Sequence, residues 1–191
     1  MSRERPESVR LLSAGILLAG VVMMARVAGI TVLLNAPLAG QIIVPIAVAG
    51  AVLGLSAFLL ALGHRGPTGP LAATENPLAI GTALKLGAVV VAVMLAVGYL
   101  RSALGPAGVL LVAGVSGIFD ADALTISMGR LGGNGLDIRT AAQAMMIGVA
   151  VNTCTKAIMA VSISGWRLGL MVSVASLAAL TAGLAVASAL S

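Results

Sequence analysis

Six apolar runs, each long enough to cross a bilayer, decide what this chain can fold into. They are Leu11–Leu34, Leu38–Leu62, Leu78–Leu100, Gly108–Met128, Ile138–Ile163 and Leu168–Leu190. A bilayer core needs about 20 residues of helix. The alternation of a β-barrel is missing, so helices are the way left to pair the backbone in lipid. Hydrophobic residues make up 60% of the 191 and charged ones 9%, against about 25% charged in a soluble domain. Such a chain cannot coat a water-facing surface. The sequence predicts an all-α, polytopic membrane helix bundle with six transmembrane helices in a single transmembrane domain over 1–191, with the lipid bilayer as its first partner.

The breaks carry turn chemistry. Asn35-Ala36-Pro37 parts the first two runs, because proline ends a helix by restricting the residue before it. Gly63–Pro77 is the longest connection, Gly105-Pro106 opens the fourth run, Gly132-Gly133-Asn134-Gly135 closes it, and Ser164-Gly165-Trp166-Arg167 parts the last two. The first run exceeds the 7–15 residues of a signal h-region and reads as a retained helix. Six crossings put Arg3, Arg5, Arg10, Arg65, Arg130 and Arg139 on one side, and Arg101 and Arg167 on the other. Basic loops stay cytoplasmic, so the expected place is the cell inner membrane, multi-pass, with both termini cytoplasmic. Dividing the spans three plus three gives an inverted repeat as one possible architecture. Gly50 with Gly54, and Gly165 with Gly169, are small-xxx-small pairs, serving packing within the chain or a dimer.

Inside the fourth run lies Gly117-Ile118-Phe119-Asp120-Ala121-Asp122-Ala123-Leu124-Thr125-Ile126-Ser127. Two of the chain's six acidic residues sit here, and an ionised group at bilayer depth marks a candidate functional site. On a regular helix Asp120 and Asp122 point about 200° apart. Asp120 would share a face with Ser116 and Ser127, and Asp122 with Thr125 and Gly129. An intact helix would send each carboxylate to its own basic partner, for example Lys156 and Arg26. A fourth helix made discontinuous around Gly114–Gly117 would let both acids and freed carbonyls line one site. On the fifth run Asn152 and Lys156, at i and i+4, share a face with Thr155 beside them and Gly148 one turn earlier. Lys85 lies near the end of the third run, where it can snorkel to the headgroups.

Enzymatic chemistry finds little to work with. His64 is the sole histidine and falls in a loop, both acids lie on one segment, and no His/Cys set could hold zinc. The Gly132–Gly135 loop lacks the lysine and strand of a phosphate cradle. With two phenylalanines, one tyrosine and one tryptophan, no platform exists for stacking bases, so nucleic acid is not an expected partner. Cys154 reads as a small packing residue.

Asn76-Pro77-Leu78, the segment GIFDADALTISMGRL, Asn152-Thr153-x-x-Lys156 and RVAGITVLLNAPL around Arg26 together resemble an uncharacterised six-helix bacterial and archaeal membrane domain. That domain is commonly found C-terminal to an MgtC/SapB-type membrane domain; here it would be free-standing, matched from about Val9 to the last helix. The resemblance implies a link by association to magnesium or other divalent-cation handling. The expected function is an inner-membrane transporter or channel-like protein for a small ion or polar solute, most plainly a divalent cation such as magnesium. Asp120 and Asp122 would ligate the metal, Thr125 and Asn152 would complete the site, and Lys156 and Arg26 would balance charge. No cofactor beyond a bound magnesium or other divalent cation is expected, and a dimer would complete the pathway. The alternative is a non-transporting membrane regulator or partner whose buried charges only fix helix packing.

Overall fold

In the computed structural model residues 6–62, 80–164 and 166–190 are described, and they form helices alone, apart from a single bridge between Gly132 and Leu136. The helices are α1 (Pro6–Leu34), α2 (Ala36–Leu62), α3 (Ile80–Leu104), α4 (Pro106–Phe119), α5 (Ala121–Leu131), α6 (Ile138–Ser164) and α7 (Trp166–Leu190). Among the described residues four helices, α1, α2, α6 and α7, are long and apolar enough to cross a membrane. The chain is a multi-pass membrane protein. Its long helices turn apolar side chains outward, as Leu33, Leu59, Ile158 and Leu177 do, which suits lipid rather than water.

The four long helices make the frame. Asn35 interrupts the first hairpin, and its Oδ1 accepts from the Leu38 N–H at 3.0 Å. Pro37 then falls in the first turn of α2, where its missing N–H is no loss. Gly20 faces Leu53 and Gly50 faces Met24, so α1 and α2 run antiparallel. A Cβ on Gly169 would come within 2.5 Å of Val161, which shows how closely α6 and α7 pair. Gly183 packs on the Pro45 carbonyl and Ala49 and joins α7 to α2. Leu17, Met24, Ile46, Leu53, Met145 and Leu168 fill the interior.

The fourth run takes the discontinuous of the two expected forms. It is two helices, α4 and α5, parted at Asp120, whose backbone is extended at φ −156 and ψ 127. The break falls beyond Gly114–Gly117, which stay helical. Gly117 is needed for something else: a Cβ there would lie 2.5 Å from the Gly148 carbonyl oxygen. Its bare backbone lets α4 press against α6, and unwinding would forfeit that contact.

The two halves also run in opposite senses. Gly148 of α6 lies against Ala113 and Gly117, and Asn152, one turn on, reaches the Gly117 carbonyl, so α4 follows the direction of α6. Leu124 lies beside Gly148 and Gly132 beside Ala141, so α5 runs against it. Asn35 Nδ2 donates to the Gly129 and Gly132 carbonyls at 3.2 and 2.7 Å, which brings the end of α5 to the end of α1. The fourth run therefore enters the bundle and returns to the end it came from. Six crossings with both termini on one side are thus not confirmed: among the described residues the start of α1 and the end of α7 lie at opposite ends of the bundle. Apolar length counts residues and cannot register a reversal made by one extended residue.

Candidate functional site

The elbow between α4 and α5 is built from backbone needs first. Helix ends leave N–H and C=O groups without intrahelical partners, and in lipid no water is at hand to take them. The Asp120 N–H donates to the Ser116 carbonyl at 2.8 Å, closing α4. Asp120 Oδ1 accepts from the Asp122 N–H at 2.9 Å, opening α5 as its N-cap. The next free carbonyl, that of Gly117, accepts from Asn152 Nδ2 at 3.0 Å. Asp120 therefore stands outside both helices and shares no helical face with Ser116 or Ser127.

The charges gather around this turn. Asp122 pairs with Arg26 Nη2 through Oδ2, which ties α5 to α1. The Arg26 side chain is 61% exposed and that of Asp122 only 11%. Lys156, half-buried on α6, donates from Nζ to the thioether of Met23 at 3.1 Å. It also lies within electrostatic reach of both Asp122 and Asp120. Thr125 is buried, one turn beyond Asp122, and donates to the Ala121 carbonyl at 2.7 Å. Asn152 Oδ1 is buried and has no hydrogen-bond partner among the described residues. Its amide orientation is fixed, because turning it would aim the oxygen at the Gly117 carbonyl.

With this geometry in place, the comparison with protein families is specific. Residues 1–164 match the family described as a domain of unknown function, DUF4010. The chain belongs to that family. No curated protein and no solved structure matches it. The DUF4010 match runs through α6 and stops before α7, short of the last helix that the sequence resemblance took in.

In this DUF4010 chain the elbow brings together Asp120, Asp122, Arg26, Asn152 and Lys156, with Thr125 on the adjoining turn. Asp122 takes Arg26 as its partner, while Lys156 bonds neither acid. Among the described residues no three His, Cys, Asp or Glu side chains converge, so a cation here would draw on two carboxylates, the Asn152 oxygen and its own water. Mg²⁺ is commonly held that way, by one or two carboxylates with several waters kept. Cys154 is exposed, not the packing residue expected, because it falls on the outer face of α6. The Lys85 side chain and Gly165 lie outside the described residues.

Two positions that shape the elbow escaped the sequence reading. Met23 looks like any apolar residue, and only the approach of α6 makes it the acceptor for Lys156. Asn35 was visible as a turn residue; its grip on the end of α5 depends on the reversal at Asp120.

Proposed function

We propose that this chain is an inner-membrane transporter-like protein that takes a small cation, Mg²⁺ being the fitting case, at the elbow between α4 and α5. One observation carries the reading: the elbow sets two carboxylates and an unpartnered amide oxygen opposite two basic groups. From Asp122 to the end of α5 is about 15 Å of helix, half the thickness of a bilayer core. Broken helices that meet at mid-depth are a recurrent transporter device. Hard cations favour such oxygen ligands, and the resemblance to domains that accompany MgtC/SapB-type domains agrees with divalent-cation handling. The N-terminus is cytoplasmic in this reading, since Arg3 and Arg5 precede α1 and Arg10 lies near its start, and the elbow enters from the opposite side. A second copy would cover the exposed Arg26, which lipid alone solvates poorly.

The test is Mg²⁺ flux into proteoliposomes. The wild-type chain is expected to carry Mg²⁺ down a gradient, and Asp122→Asn to reduce the rate at least tenfold while the protein stays monodisperse. A wild-type chain that carries no Mg²⁺ ends the transport reading. The Arg26–Asp122 pair and the use of Asp120 as a cap favour one other reading, a non-transporting membrane partner locked by its charges. Asp122→Asn would then leave the protein unfolded, and Arg26→Gln added to it would restore folding.

A further inference from the structure

We infer that Lys156 is a tethered cation that competes with the cargo for Asp120 and Asp122, and that Met23 marks its withdrawn position. This deepens the proposed function and rests on the elbow being a cation site.

The observation is a mismatch of partners. An ammonium has three donors and seeks oxygen, yet the only hydrogen bond of Lys156 among the described residues goes to a thioether sulfur, a weak acceptor. Met23 lies one turn from Arg26 on α1, and Arg26 holds Asp122, so a carboxylate stands about one helical turn from the ammonium. One turn earlier on the same face, Asn152 Oδ1 is buried without a donor. A charge and an acceptor that could satisfy each other are held apart in a medium where leaving them so is costly.

The withdrawn position has room of its own. On the Met23 side of Lys156, away from Asp120 and Asp122, lies a void of about 20 Å³, lined also by Leu17, Gly20, Leu53, Thr153 and Ser176. That is enough for one water molecule or for the end of a lysine chain. Lysine is a flexible stem with a point charge, so its Nζ can sit at Met23 or swing to the carboxylates and the Asn152 oxygen. In the first position a cation has the Asn152 oxygen and the carboxylate oxygens not taken by Arg26 and the Asp122 N–H. In the second the protein's own charge fills the site and neutralises it. Arg26 is unsuited to this exchange, because it is already ion-paired with Asp122.

The test is Mg²⁺ binding to the purified full chain in nanodiscs by calorimetry. Lys156→Gln is expected to bind Mg²⁺ about tenfold more tightly than wild type, having lost the competing charge. Lys156→Arg should stay near wild type. Met23→Leu should weaken binding a few-fold, because it removes the withdrawn position and drives the ammonium onto the carboxylates. Lys156→Met serves if the glutamine variant does not fold. If Lys156→Gln binds no more tightly while Asp122→Asn abolishes binding, the competition is refuted and the elbow site stands. If neither wild type nor Lys156→Gln binds Mg²⁺, both readings fall.

Discussion

At the residue scale, the glycines of α4 show how position outweighs identity. Gly114 and Gly117 look alike in the sequence, and either could have been a point of unwinding. A Cβ at Gly114 meets nothing within 4 Å, while one at Gly117 would press on the Gly148 backbone at 2.5 Å. Backbone cannot step aside as the end of a side chain can. Gly117→Ala should therefore destabilise the protein by about 1–3 kcal/mol, the range for overpacking, and loosen the Asn152 bond to the Gly117 carbonyl. Gly114→Ala should be neutral or slightly stabilising, since alanine is the better helix former by about 1 kcal/mol. Thermal unfolding in detergent compares the two, and equal effects would refute the close contact. Asp122 and Arg26 were legible as charges in need of partners because lipid makes any charge conspicuous. Which pairs formed depended on where Asp120 turned the chain.

At the element scale, α5 is a short helix held by polar side chains at both ends. Asp120 caps its start and Asn35 binds the carbonyls at its finish. Eleven residues are too few to be stable as an isolated helix, so these contacts and its packing against α1, α3 and α6 hold it. Asp120→Ala removes the cap and should cost about 1 kcal/mol. Asp120→Asn keeps an oxygen acceptor and should remain near wild type in thermal stability. Comparing Mg²⁺ flux in the two variants separates cap from charge: equal loss of flux means the carboxylate matters for itself. The apolar stretch from Gly108 to Met128 was legible as one run. Its division was legible as one of two forms but its place was not, because the glycines that permit unwinding at Gly114–Gly117 are held helical and the extended residue is Asp120.

At the scale of the whole molecule, the reversal at Asp120 changes the course of the chain. With α4 and α5 entering and leaving at one end of the bundle, reporters attached before α1 and after α7 should lie on opposite sides of the membrane. Paired fusions, one active only in the cytoplasm and one only outside it, check this directly, and matching signals at both ends would refute the course of α5. The amino-acid sequence by itself determined that the chain is helical and lies in lipid, because hydropathy and backbone pairing act on every residue regardless of its neighbours. It also marked the carboxylates and basic groups that lipid would force together. Tertiary structure alone decided the direction of α5, the pairing of Asp122 with Arg26 and the seating of Lys156 on Met23. Those outcomes rest on contacts between segments far apart in the chain, such as Asn35 with Gly132 and Asn152 with Gly117. The energy of such contacts exists only once both segments are in place.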